Sequence, residues 1–217
     1  MARRTKEDAL ATRHQLLDAA EHVFAEKGVS RSCLNDIAQA AGVSRGAIYW
    51  HFKNKADLFN AMLERITLPM EQALHQIGDG GARDPLDALR CAILDALQKI
   101  ATDARTRRVF EVATHKVEYI DELLVVKARQ VKVQSDVVCQ MQHSLLEACA
   151  RRAQPLPIPA VIAAQGLHAL VAGLIDSWLL APEAFDLVAV ADLGLQAYLA
   201  GLGLVPVPCG TAVLPPA

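Results

Sequence analysis

Apolar side chains recur every three or four residues along almost the whole chain up to about residue 200. That is the period of a helix buried along one face, and it points to an all-α fold. Leu16, Leu17, Ala20, Val23 and Phe24 trace one such face, which Gly28 ends by taking a left-handed conformation. A second helix, over 32–41 with Ser32 as its cap, repeats apolar residues at Leu34, Ile37, Ala38 and Ala41. Gly42 and Val43 break it, and Ser44 caps a third, very short helix that reaches Tyr49 or Trp50. Asn54, with Asp57 three residues on, opens a fourth helix carrying Leu58, Met62, Leu63 and Ile66, which Pro69 is expected to kink.

Beyond this the glycine-rich stretch 78–81 reads as a linker. Leu86, Leu89, Ile93, Leu97 and Ile100 then form another amphipathic helix, with Asp84 and Pro85 at its start. A short helix is expected near 104–115 and a long one over 117–152. Within the latter, 131–134 alternates like a strand, but the flanking period and the lack of turn residues favour helix. Pro155, Pro157 and Pro159 mark a loop. Two apolar, small-residue-rich helices follow over 160–181 and 187–203, to be buried or shared with a second subunit. The tail from 205 to 217 is proline-rich and reads as irregular.

Composition removes several function classes. The chain has 22 Lys+Arg against 24 Asp+Glu, a net charge of -2, so bulk charge does not point to nucleic acid. Residues 1–65, however, carry 10 basic and 8 acidic side chains, a mildly basic segment ahead of an acidic body. The first 26 residues alternate charge with apolar residues and contain no secretory apolar core. The greasiest stretch, 167–180, is interrupted by His168, Asp176 and Ser177 and reads as too short to cross a bilayer. Cys33, Cys91, Cys139, Cys149 and Cys209 are odd in number and never in C-x-x-C spacing, which argues against zinc or a disulfide framework. The expected setting is cytoplasmic, with no membrane. No phosphate loop, nucleophile elbow or Cys–His pairing suggests catalysis, so no catalytic residue, metal or cofactor is expected. Around His115, Glu111 and Glu118 have metal-compatible spacing but read as a polar group on an amphipathic helix. His168 and Asp176 read as a buried polar couple.

Residues 32–55 carry the functional signal. Two short helices joined by a glycine corner, with Ile37 and Ala38 inward and Val43 in the corner, have the construction of a helix-turn-helix. The second helix is expected to expose Ser44, Arg45, Gly46, Ala47 and Tyr49. Gly46 and Ala47 are small enough for close approach to a groove, and Arg45 can reach a phosphate or a guanine edge. Tyr49 and His51 can donate to phosphate oxygens. Lys55 adds a cation beside helix amides that already favour anions. Trp50 and Phe52 read as packing residues.

The run Gly-Val-Ser-Arg-Gly-Ala-Ile-Tyr-Trp-His-Phe-Lys-Asn-Lys, 42–55, resembles the signature of the TetR family of transcriptional regulators. The resemblance covers residues 10–65 by motif and the remainder by helix pattern. Three further stretches are similar to the AcrR/TtgR/MtrR subgroup, repressors of multidrug efflux operons: 2–7, 103–108 with 115–119, and 178–183 with 185–187. The resemblance implies a homodimer that binds a double-stranded, palindromic DNA operator and responds to a small hydrophobic or amphipathic effector. It implies a DNA-binding domain over 1–55, a ligand-binding and dimerisation domain over 56–204, and the tail. Ser44, Arg45, Gly46, Ala47, Tyr49, His51 and Lys55 fall at DNA-contact positions. Arg3, Arg4 and Lys6 form either a groove-binding arm or a solvated tail. Carried over by approximate alignment, Ile77, Leu89, Ile93, Leu97, Phe110, Thr114, Val137, His168, Val171, Ala172, Ile175 and Asp176 either line an effector pocket or are plain core. Phe110 stands where the subgroup often has a polar residue, and Ala172 where it often has an acidic one. Two alternatives stay open: a TetR-like regulator of a metabolic operon answering a metabolite or acyl-CoA, and a helical protein that uses the motif only for packing.

Overall fold

The computed structural model describes residues 6–75, 84–119 and 121–204; Arg3, Arg4, Ile77, the linker 78–81 and the tail lie outside them. Among the described residues there are nine α-helices and no strand. They are α1 (Lys6–Lys27), α2 (Leu34–Ala40), α3 (Arg45–His51), α4 (Lys55–His75), α5 (Pro85–Thr102), α6 (Ala104–His115), α7 (Leu124–Arg152), α8 (Ala160–Leu180) and α9 (Leu187–Gly201). They fall into two compact units, each discontinuous in sequence. One holds the described residues of Met1–Pro69 and Lys99–Val133, the other those of Met70–Gln98 and Gln134–Ala217.

In the first unit α1, α2 and α3 pack on one another. Leu16, Leu17, Phe24, Ile37 and Ile48 are fully buried there, and the Phe24 and Phe59 rings lie 5.9 Å apart. Burial of that many large apolar groups, each worth about 1.5–3 kcal/mol, is what holds helices as short as α2 and α3. Gly28 and Gly42 have φ of +80° and +66°, the left-handed conformation expected of them. At Gly42 the closure is a complete Schellman motif: Val43 N–H donates to the Ala38 carbonyl at 3.0 Å and Gly42 N–H to that of Gln39 at 3.1 Å. Ser44 and Asn54 cap α3 and α4 as expected, accepting from Ala47 N–H at 3.3 Å and Asp57 N–H at 2.8 Å.

Ser32 is not a cap. Its hydroxyl donates back to the Gly28 carbonyl at 2.6 Å, and α2 starts two residues later behind Cys33. The Asp36 carboxylate accepts from Cys33 N–H at 2.9 Å, and that hydrogen bond is the main cause holding the Asp36 pKa below its ordinary value. The long helix also starts later than its apolar period suggests. Residues 116–119 are not helical, a 3-10 turn spans Asp121–Leu123, and α7 begins only at Leu124. A long-range bond overrides the local pattern: the Lys116 carbonyl accepts from Val29 N–H at 2.9 Å. The 131–134 stretch is helical.

α6 joins this first unit against α1. Asp103 caps it, accepting from Thr106 N–H at 3.0 Å, and Thr106, Val109 and Val112 are buried. Glu21 of α1, only 2% exposed, meets Arg65 of α4 and Arg105 of α6, the latter at 2.9 Å. Asp18, one turn earlier, meets the same two guanidinium groups.

In the second unit α8 and α9 pack closely because Gly166 leaves room for Tyr198, whose hydroxyl donates to the Ala163 carbonyl at 2.8 Å. Arg90 of α5 pairs with Asp192 of α9 at 2.6 Å, and Arg152 of α7 with Asp84 at 2.7 Å. α8 is 21 residues long and, by length and composition alone, apolar enough to cross a membrane. The shorter stretch 167–180 underestimated it, because the prolines before Ala160 set the helix start seven residues earlier. One side of α8 is buried, through Ala163, Ala164, Leu167, Trp178 and Leu179. The expected couple between His168 and Asp176 does not form as a buried pair. His168 is half-buried and Asp176 exposed, about 12 Å further along the axis at 1.5 Å per residue.

Candidate nucleic-acid interface

α3 spans two turns and divides sharply by face. Ala47 and Ile48 are buried and His51 half-buried, while Ser44, Arg45, Gly46, Tyr49 and Trp50 are exposed. With about 100° between successive residues, the buried positions occupy one side of the helix and the exposed ones the remainder. Four of the expected contact positions therefore share the open face: Ser44, Arg45, Gly46 and Tyr49. Ala47 does not; its methyl sits on the packing side, 9% exposed. The small side chain that permits close approach from outside is Gly46, where an added Cβ would meet nothing nearer than the Ser44 Oγ at 4.0 Å.

Trp50 corrects the sequence reading in the opposite direction. It is 72% exposed, while its neighbour Phe52 is buried as expected. On the helix wheel Trp50 lies about 160° from the fully buried Ile48, on the open side, whereas Phe52 is the C-cap residue and turns inward. The indole stacks edge-on to the His51 ring at 4.5 Å between centroids. The Arg45 guanidinium lies 5.7 Å from the centre of the Tyr49 ring, a cation–π contact that holds it along the open face. Arg13 of α1 sits 5.2 Å from the centre of the Phe52 ring.

Lys55 points elsewhere than expected. Its ammonium donates to the Ser30 and Ser32 carbonyls at 3.2 and 3.0 Å and stands 3.3 Å from Glu122. Only 11% of the side chain is exposed, so its charge fastens the loop between α1 and α2 instead of facing solvent. Lys53, exposed just ahead of α4, is the nearby cation that remains outward.

The expected effector-pocket positions are divided between the units. Leu89, Ile93 and Leu97 share one buried face of α5 in the second unit. Val137 of α7 and His168, Val171 and Ile175 of α8 are half-buried in the same unit, whereas Ala172 and Asp176 are exposed. Phe110, half-buried, and Thr114, exposed, belong to the first unit with α6. Burial holds the His168 pKa below its ordinary value, which keeps the imidazole neutral.

Residues 16–62 match the family described as bacterial regulatory proteins, tetR family, and residues 84–203 match the MAATS-type transcriptional repressor C-terminal region. The chain is 40% identical over 196 residues to the HTH-type transcriptional regulator TtgR of Pseudomonas putida, covering 87% of this chain and 90% of TtgR. It superposes on the crystal structure of NalD, the secondary repressor of the MexAB-OprM multidrug efflux pump in Pseudomonas aeruginosa, with a TM-score of 0.81 and 37% identity, covering 91% of this chain and 98% of NalD. The triclosan complex of SmeT, the repressor of the Stenotrophomonas maltophilia pump SmeDEF, gives 0.77 and 33%, covering 93% and 100%. The family is one of DNA-binding regulators, not of enzymes. The chain belongs to the TetR family of transcriptional regulators, with a MAATS-type C-terminal region, and is related to the repressors of multidrug efflux pumps.

Proposed function

We propose that this protein is a cytoplasmic repressor that binds a palindromic operator as a homodimer, is released by a small hydrophobic effector, and controls a multidrug efflux operon. The observation that carries the DNA-reading part is the open face of α3, where Ser44, Arg45, Gly46 and Tyr49 stand outward over a buried opposite side. A helix of two turns reads only a few base pairs, so a second copy at fixed spacing is required for a useful site. The uncovered apolar side chains of α8 and α9 supply the surface for that copy. Ile162, Leu180 and Leu193 are more than half exposed, and Ala169, Ala172, Gly173 and Ala197 lie open among them. The same cover by a second subunit, and not by lipid, accounts for the apolar length of α8.

The relationship to NalD and SmeT supports the efflux circuit, and the triclosan bound to SmeT makes that compound the first effector to try. The residues proposed to meet the effector are the α5, α7 and α8 positions of the second unit, Leu89, Ile93, Leu97, Val137, His168, Val171 and Ile175. A neutral His168 offers one donor and one acceptor in an apolar setting. An affinity ratio of about 100 between effector-free and effector-bound states corresponds to roughly 2.7 kcal/mol of coupling, enough for derepression.

The test is fluorescence anisotropy with DNA from the gene's own upstream region, with and without triclosan, over a salt series. Sequence-specific binding that weakens linearly in log salt and loses discrimination in Arg45→Ala is expected. Equal retention of specific and random DNA, unchanged in Arg45→Ala, would overturn the regulator reading. Specific binding that triclosan and other apolar drugs leave untouched would overturn the effector class alone.

A further inference from the structure

Arg13 of α1 differs from several other cations of its unit. Lys55, Arg65, Arg105 and Arg129 each have a carboxylate within reach. Among the described residues Arg13 has neither a carboxylate nor another hydrogen-bond acceptor. What lies beside it is the Phe52 ring, whose centre is 5.2 Å from the guanidinium carbon. The sequence of α1 explains this. The positions one turn to either side are Ala9, Leu10, Leu16 and Leu17, which offer no charge. The α1 carboxylates further on, Asp18 and Glu21, are held by Arg65 and Arg105. Arg13 is half-buried and Phe52 buried, so the guanidinium covers the ring from outside.

A guanidinium stacked on an aromatic face keeps its hydrogen-bonding edge clear, because its N–H groups lie in its own plane. The ring therefore favours one orientation and leaves those donors to an anion from outside the chain. Phe52 is the C-cap of α3, its N–H bonded to the Ile48 carbonyl at 2.9 Å, and it lies about 10 Å along the axis from Arg45. Lys53, exposed, follows directly. A recognition helix meets base edges with its N-terminal residues, so its other end lies toward the phosphate wall of the groove. That end carries about half a negative charge from its aligned peptide dipoles. Phosphate is repelled there unless cations stand beside it.

We propose that Arg13 is a DNA-binding residue contributed by α1: together with Lys53 it holds a backbone phosphate at the C-terminal end of α3, with the Phe52 ring setting the direction of its guanidinium. The inference rests on the regulator reading above and extends it to a residue outside the helix-turn-helix. Such a contact fixes the register of α3 in the groove and carries no sequence information of its own.

The experiment is fluorescence anisotropy of the full-length protein with the upstream DNA fragment and with a random duplex of equal length, over a salt series. Arg13→Met keeps an unbranched apolar chain against the Phe52 ring and removes the charge. It is expected to weaken binding to both duplexes by about ten-fold. The slope of log affinity against log salt is expected to flatten by about one. Arg13→Lys keeps the charge without the flat fork, and is expected to hold the parent slope with about three-fold weaker binding. An Arg13 that only covers Phe52 would lower the melting temperature of Arg13→Met and leave the salt slope at the parent value; an unchanged slope overturns the proposal. A loss confined to the upstream fragment overturns it too, since a phosphate contact acts on any sequence. Both outcomes leave the regulator reading standing. A parent that holds the two duplexes equally overturns that reading and the proposal with it.

Discussion

Arg45 and Tyr49 stand one turn apart on α3, and the stacking of guanidinium over ring limits the orientations the arginine must give up on meeting a base edge. Arg45→Ala is therefore expected to lose about 1–3 kcal/mol of discrimination between operator and mismatched DNA. Lys53→Ala should weaken operator and random DNA equally and flatten the salt slope by about one ion. Competitive anisotropy with both DNAs separates the two outcomes. Asp103 allows a test of stability at the same scale. Hydrogen bonds from the Thr106 hydroxyl and backbone N–H favour its ionised form, so its folded pKa lies below the ordinary 3.8. Its contribution is thus complete above about pH 4 and is lost as pH falls through the lower folded value. Asp103→Asn keeps the cap without the charge, and melting curves between pH 3 and 7 should show a shallower acid limb than the parent; Asp103→Ala should cost about 1 kcal/mol at neutral pH. At this scale the motif was legible in the sequence and side-chain direction was less so. Ser44, Arg45, Gly46 and Tyr49 lie where their spacing put them. Ala47, Trp50 and Lys55 did not follow, because each is decided by what α3 or α4 packs against.

Most helix ends with a local signal were legible, Ser32 excepted, whose hydroxyl turns back to the Gly28 carbonyl instead of capping α2. Ser44, Asn54, Gly28, Gly42 and Pro85 each act through their own φ or their own side chain, and each begins or ends a helix as read. The start of α7 was not legible, because the Lys116 to Val29 hydrogen bond joins residues 87 apart in sequence. One helix end carries an avoidable cost. Ala153, just past α7, has φ of +49°, and Gln154 N–H donates back to the Cys149 carbonyl at 3.1 Å. An L-residue in that conformation is strained by roughly 1–2 kcal/mol, part of which glycine returns as lost chain entropy. Ala153→Gly should therefore raise stability by up to about 1 kcal/mol, read as a higher denaturant midpoint with unchanged slope. Pro69 is the other element-scale test. α4 runs through it unbroken, and the border between the two compact units falls directly after it. With the proline as a pivot, Pro69→Ala should restore the missing backbone bond, stiffen α4 and reduce by several-fold the effect proposed for an effector on operator affinity. Unchanged affinity and unchanged response would make it an ordinary tolerated kink.

For the molecule as a whole, the net charge of -2 means that attraction to DNA has to be arranged locally, by the residues around α3 and the start of α4. The proposed dimer would cover the apolar faces of α8 and α9. Leu193 is 59% exposed on α9, and Leu193→Glu should convert the proposed dimer to monomers in sedimentation equilibrium. Operator affinity should fall with it by orders of magnitude, since two short helices no longer bind as a linked pair. The interleaving of the two units has a practical corollary. The part of the gene that encodes a self-supporting DNA reader is not its first third. A polypeptide stopped at residue 65 would carry Glu21 without the arginines of α6 and Val29 without the Lys116 carbonyl. Attempts to transplant this protein's operator preference by swapping only the amino-terminal segment should yield poorly folded chimaeras unless codons 99–133 travel with it.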